Sequence, residues 1–153
     1  MTLHFAYGSN MNRALMRRRC PTAEPLGPAR LDGWRFMIMR AGYASIVLAS
    51  GSAVHGIVWR LSPRDLAALN AYENLERGLY VRRLLPVVIH DRRRAALVYV
   101  APGRASGRPQ PGYQELVVAS AREWKLPDGY VATLGRWLPG FRGALAVATG
   151  EMG

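Results

Sequence analysis

A side chain that takes up a proton and returns it within one turnover works best with a pKa near the working pH, so the ten acidic residues of this chain are the natural starting point. Glu24, Asp32, Asp91, Asp128 and Glu151 fall in stretches that read as loops, turns or helix caps. Asp65 sits in a first helical turn, and Glu76, Glu115 and Glu123 have ordinary surface explanations. Glu73 is different. In "SPRDLAALNAYE" it follows Leu66 and Leu69 at the i, i+3, i+7 spacing of one helical face, so it shares the stripe that the leucines turn toward the core. It also falls near the helix C-terminus, where the dipole disfavours an anion, and burial acts in the same direction. Both effects raise the expected pKa toward the range of a general acid/base. The plainer alternative is a frayed helix end with Glu73 in water or paired with Arg77.

Other chemistries find less support. His4, His55 and His90 are scattered without metal-ligand spacing, and the single Cys20 excludes an internal disulfide and a cysteine-rich metal site. Neither a Ser-His-Asp nor a Cys-His arrangement is evident. Cys20 follows three arginines that could lower its pKa, which keeps a cysteine or water hydrolase in view as a third reading. The net charge of +11 invites a polyanion as partner. Lys125 is the one lysine among 21 basic residues, and the arginines are spread along the chain rather than interleaved with aromatics. The runs Arg17–Arg19 and Arg92–Arg94 read as solvated surface, so nucleic acid is the less favoured partner without being excluded.

The elements that must hold Glu73 can be read in outline. Residues 2–7 form a strand, "YGSN" a tight turn, and Met11 to Arg19 a short helix, before "CPTAEPLGPA" reads as a proline-rich loop. "WRFMIMR", "ASIVLAS" and "AVHGIVWRL" read as three strands of a meander. Ser62 caps the next helix, with Pro63 at its first position and Asp65 at a capping-box spacing. "LYVRRLLPVVI" and "AALVYVA" add two strands joined around "HDRRR", and "PGRASGRPQPG" is a loop long enough for a lid or substrate wall. Helices follow in "YQELVVASAREWKL" and, capped at Asp128, in "DGYVATLGRWL"; the tail from Pro139 is ambiguous. The expectation is a single α+β domain over residues 1–153, with a barrel-like mixed sheet and flanking helices. No apolar stretch approaches the ~18 residues of a membrane span, and the N-terminus lacks the pattern of a secretion signal, so no membrane is expected and the cytoplasm is the expected compartment.

Two segments together, "YGSNM" after the opening strand and "HGIVWRLSPRDLAALNAYENLERGLYVRRLLPV", resemble the gamma-glutamylcyclotransferase family, including its AIG2-like and gamma-glutamylamine cyclotransferase relatives. The likeness extends through "ARLDGWRF" and "PGYQELVVASAREWKLPDGYV". It implies a small barrel-like mixed α/β fold with a cavity, a turn that binds the glutamyl moiety, and one glutamate in acid/base catalysis. By position in the motif these are Tyr7, Gly8, Ser9 and Asn10 for the turn and Glu73 for the glutamate, with Tyr113 lining the pocket. The implied reaction releases 5-oxoproline from a gamma-glutamyl amino acid or amine, with no cofactor and no metal.

The residue chemistry accords with that reaction. A gamma-glutamyl group carries its own nucleophile, because its α-amine can close a five-membered ring on its γ-carbonyl. Gly8 lets the backbone approach a ligand, and amides around Gly8 to Asn10 can form a concavity for the α-carboxylate or a developing oxyanion. Alternatively, Ser9 or Asn10 simply caps the following helix. The rival function from another class is a non-catalytic small-ligand or RNA-binding module of the same fold. The oligomeric state is left open.

Overall fold

The computed structural model describes residues 1–73 and 78–141. In chain order these form β1 (Thr2–Ala6), a 3-10 turn (Ser9–Met11), α1 (Arg13–Arg19), β2 (Glu24–Ile38), β3 (Ala44–Leu61), α2 (Pro63–Tyr72), β4 (Val81–Ile89), β5 (Arg92–Val100), α3 (Tyr113–Glu123) and α4 (Asp128–Gly135). The strands close into a barrel in the order β1-β3-β2-β4-β5. Neighbours run antiparallel except β1 and β5, whose parallel contact at His4 and Leu97 closes the barrel. The expected α+β class with a barrel-like sheet is therefore the observed one. Arg77, offered above as a partner for Glu73, and Glu76, Glu151 and the tail beyond Phe141 lie outside the described residues.

The meander is simpler than the sequence suggests. "ASIVLAS" and "AVHGIVWRL" belong to one strand, β3, carried past Gly51 at φ +82°. The proline-rich segment read as a loop is strand from Glu24 onward. Pro25 and Pro28 fit there because only β3 pairs with that end of β2, so a missing N–H faces no partner. Bulges at Pro25/Gly27 and Asp32/Trp34 bend β2, and Gly33 holds a left-handed φ of +87° at the second. The β4–β5 turn is made by His90 and Asp91 at φ 50° and 61°, the left-handed geometry that two-residue hairpins need.

Helix ends show both agreement and correction. Ser62 caps α2, its hydroxyl accepting from the Asp65 amide at 3.1 Å. The Asp65 carboxylate does not complete a capping box. It is buried and accepts from the Thr22 amide at 3.1 Å and from the Thr22 hydroxyl, which ties α2 to the segment after α1. Asp128 is the first residue of α4 rather than its cap, a place taken by Pro127. The helix expected from Met11 divides into the 3-10 turn and α1, with the Asn12 side chain accepting from the Leu15 amide at 2.9 Å between them. The apolar interior is formed by Phe5, Leu31, Ile46, Ile57, Val87 and Val98 from all five strands, with Leu69 of α2 fully buried as the leucine stripe requires.

Candidate active site

A cavity of about 210 Å³ opens beside the end of β1. Its wall includes the whole Tyr7 to Asn10 turn, Glu73 at the end of α2, and Tyr113 at the start of α3. Every residue singled out for the site thus meets at one place, although the turn and the helix end are 63 residues apart in sequence. The plainer alternatives for the other acids hold where they are described. Glu24, Asp32, Asp91, Glu115, Glu123 and Asp128 are exposed, and Asp65 is spent on Thr22.

Glu73 is the C-cap of α2, its amide donating to the Leu69 carbonyl at 2.9 Å. Its side chain is largely withdrawn from water, and its Oε2 accepts from the Asn10 amide nitrogen at 3.0 Å. Burial pushes the carboxyl up to about 7, opposed by the Asn10 hydrogen bond and the positive charge of Arg19. The anomaly in the apolar stripe therefore corresponds to a carboxylate that changes charge near neutral pH.

The turn is made rigid by its neighbours. The Met11 amide donates to the Gly8 carbonyl at 3.1 Å and the Asn12 amide to the Ser9 carbonyl at 3.0 Å, which leaves the first amides of the turn without a carbonyl inside it. Asn10 is buried and bonded to Glu73 and Arg19, so it is not the helix cap; Asn12 takes that role. Gly8 has φ −118°, outside the left-handed region, and its need for glycine is one of space. A Cβ there would lie 2.7 Å from the Tyr113 hydroxyl and 3.0 Å from the Ala44 Cβ. Gly8→Ala should therefore displace the Tyr113 ring from the cavity wall and raise KM about tenfold or more, with a much smaller change in melting temperature. Steady-state kinetics beside thermal melts would show it, and an unchanged KM would count against this packing.

Tyr7 and Tyr113 wall the cavity as expected, but each hydroxyl is already engaged. That of Tyr7 donates to the Tyr99 carbonyl, and that of Tyr113 accepts from the Ala44 amide at 3.1 Å. Burial raises both phenols, Tyr113 to about 12. Sequence reasoning missed Tyr43, Tyr72, Tyr80 and Tyr99, so that six of the seven tyrosines line this one cavity. It also missed Arg19, read as solvated surface, which reaches Ser9 and Asn10.

The loop "PGRASGRPQPG" does not wall the cavity; Gly107 and Gln110 donate to Ile38 and Gly42, pinning it to the β2–β3 turn that carries Tyr43. Cys20 is buried, and burial raises its thiol to about 11, the reverse of an activated nucleophile. His4 is buried within a strand, its Nδ1 3.2 Å from the Leu97 carbonyl, and desolvation lowers it to about 4. Among the described residues no three His, Cys, Asp or Glu side chains gather as a metal site would require, and no helix is long and apolar enough to cross a membrane. Arg92–Arg94 are exposed, as expected.

A family model described as gamma-glutamyl cyclotransferase, AIG2-like, matches residues 4–126. The chain belongs to that family. Two curated family relatives, each named gamma-glutamylcyclotransferase, come from Mus musculus and Homo sapiens. The chain is 27% identical to the first over 141 residues and to the second over 139, in each case covering 84% of this chain and 74% of the relative. A solved structure titled gamma-glutamyl cyclotransferase superposes with a TM-score of 0.84 at 26% identity, covering 93% of this chain and 91% of the other. The gamma-glutamyl cyclotransferase match runs from within β1 to just past α3, and so includes the turn, Arg19, Glu73 and Tyr113.

Proposed function

We propose that this protein, acting as a single cytoplasmic domain, converts a gamma-glutamyl amino acid or gamma-glutamyl amine to 5-oxoproline and the free amino acid or amine. The observation that carries the reading is the Glu73 carboxyl, held in a cavity against the Tyr7 to Asn10 turn with a pKa near 7.

In this reading the turn receives the substrate's α-carboxylate through its first amides, and the tyrosines fold the glutamyl chain so that its α-nitrogen faces its own γ-carbonyl carbon. Such positioning contributes up to ~7–11 kcal/mol in well-oriented intramolecular reactions. The α-nitrogen forms the new C–N bond as the bond from the γ-carbon to the leaving nitrogen breaks. The α-nitrogen, an ammonium near neutral pH, sheds two protons as it becomes the lactam N–H; Glu73 takes each in turn and passes both to the departing nitrogen, which leaves as an ammonium while Glu73 returns to its carboxylate form. Atoms and charge balance without a protein nucleophile, a cofactor or a metal. In this reading amides around Gly8 to Asn10 also steady the charge that the γ-oxygen gathers in the tetrahedral intermediate.

The test is 5-oxoproline release from a panel of gamma-glutamyl dipeptides, glutathione and gamma-glutamyl amines, followed against pH. Glu73 must begin as the carboxylate, so kcat/KM should fall as pH drops through an acid limb near 7. A limb at the ordinary carboxylate value would remove Glu73 from this role. Free glutamate in place of the lactam would mark a hydrolase, and salt-sensitive oligonucleotide binding without any turnover would favour the binding module.

A further inference from the structure

The arginine run that ends α1 has one member unlike the others. Arg17 and Arg18 are exposed, whereas Arg19 folds back beneath the turn. Its Nη1 donates to the Ser9 hydroxyl at 3.1 Å and also to the Asn10 side-chain oxygen. Its guanidinium carbon lies 3.7 Å from the centroid of the Tyr72 ring. One planar cation therefore joins the turn after β1, the end of α1, and the last residue of α2, immediately before Glu73.

The contact also decides which way Asn10 faces. With its oxygen held by the guanidinium, the Asn10 NH2 group is turned to Glu73 and donates at 3.0 Å. Rotated by half a turn, the amide would set oxygen against carboxylate oxygen and NH2 against guanidinium N–H, and lose both bonds. Arg19 forms no direct ion pair with Glu73: the ion pairs among the described residues are Arg30–Asp32 and Arg60–Glu24. Its influence passes through Asn10 and through its field.

We propose that Arg19 is a positioning residue for the acid/base carboxylate, locking the turn against the end of α2 and fixing the Asn10 amide so that it always donates to Glu73. The proposal deepens the reading of Glu73 as proton carrier and rests on it. The groups that act electrostatically with Glu73 are Tyr7 at the end of β1, Arg19 and Cys20 at the end of α1, Tyr80 before β4, Tyr99 of β5 and Tyr113 of α3. Burial or desolvation raises the phenols and the thiol, so at neutral pH Arg19 is the charged member of the group and works against the burial of Glu73.

Arg19→Met should lower kcat by up to about a hundredfold and move the acid limb to higher pH, because the carboxylate loses its nearby positive charge. Arg19→Lys should bring the limb back without recovering full kcat, since an ammonium cannot stack flat on Tyr72 while holding both oxygens. Combining Arg19→Met with Asn10→Ala should cost little beyond either change alone, as expected of residues acting in series. Thermal melts establish folding, and if Arg19→Met does not fold, Arg19→Lys decides by a lowered kcat with the limb kept. Wild-type kcat and pH profile in a folded variant, or fully additive losses, would overturn the proposal. The carboxyl carbon of Glu73, followed by 13C NMR and assigned with Glu73→Gln, gives a reading independent of turnover. If the wild type releases no 5-oxoproline the cyclotransferase reading fails, whereas a Glu73 titration that does not rise in Arg19→Met sinks the role of Arg19.

Discussion

Glu73→Gln is expected to end 5-oxoproline release while leaving the protein folded and more stable above neutral pH. Glutamine keeps the shape of the side chain and an oxygen that can accept from Asn10, but it cannot carry a proton between the two nitrogens. Removal of a positioned acid/base group costs about 10²–10⁴-fold, and no second carboxyl among the described residues lines the cavity to replace it. The stability effect has the opposite sign. Glu73 titrates near 7 in the folded protein against ~4.3 in an unfolded chain, so between those values the native state holds a proton that the unfolded state has lost. By linkage, stability falls as pH rises through that window. The variant carries no such penalty and should exceed the wild type by up to about 3 kcal/mol at pH 8, with the difference vanishing near pH 4. Denaturant titrations at the two pH values, with product assays on the same samples, would test both halves. Undiminished release, or a variant less stable at pH 8, would contradict the proposed state of this side chain.

The largest expected effect on folding comes from Gly56→Ala. Gly56 lies in β3, where a Cβ would stand 2.2 Å from the Ala6 carbonyl oxygen and 3.0 Å from the Phe5 ring. The obstacle is backbone, which no rotamer change relieves, so β1 must move away from β3 near the Ala6–Ile57 pairing. A loss of about 3 kcal/mol or more, and about 10 °C in Tm, is expected. Activity should fall as well, because Ala6 leads directly into the Tyr7 to Asn10 turn. Gly129→Ala provides the control: nothing lies within 4 Å of its Cβ, and alanine near the start of α4 should stabilise by up to about 1 kcal/mol. Equal melting temperatures for the two variants would argue against the close packing of β1 on β3.

The parts of the site that could be read from the sequence were local. Glu73 stood out because a charge interrupted a leucine stripe, a signal that needs only the neighbours along one element. The turn showed locally as a strand that ended abruptly in Gly8, Ser9 and Asn10, which a helix cap explains as well, and it entered the site, like Tyr113, through the family resemblance. What stayed hidden depends on closure of the barrel. Tyr80 and Tyr99 reach the cavity only because β4 and β5 complete the ring back to β1, and Tyr43 only because the loop around Gly107 holds its turn in place. Arg19 was concealed by composition, since three consecutive arginines at a helix end have an adequate explanation in solvation. The strand through Pro25 and Pro28 was missed for a similar reason, because proline argues against a sheet unless the missing N–H faces an unpaired edge. Cys20 shows the reverse error, a thiol kept in view by its arginine neighbours that is occupied by packing, while Asp65, read at a capping-box spacing, is occupied by Thr22.

The concentration of tyrosines around one hollow has a spectroscopic consequence. Burial lifts the ionisation of Tyr7, Tyr80, Tyr99 and Tyr113 around the hollow, and of Tyr130 outside it, above the ordinary phenol value in the native state. In mild alkali those rings should stay neutral until the barrel opens and then deprotonate together, so the ultraviolet band of phenolate becomes an intrinsic gauge of global opening. A compound seated in the hollow would delay the onset of that band, which turns a simple absorbance titration into a label-free screen for whatever the cavity accepts.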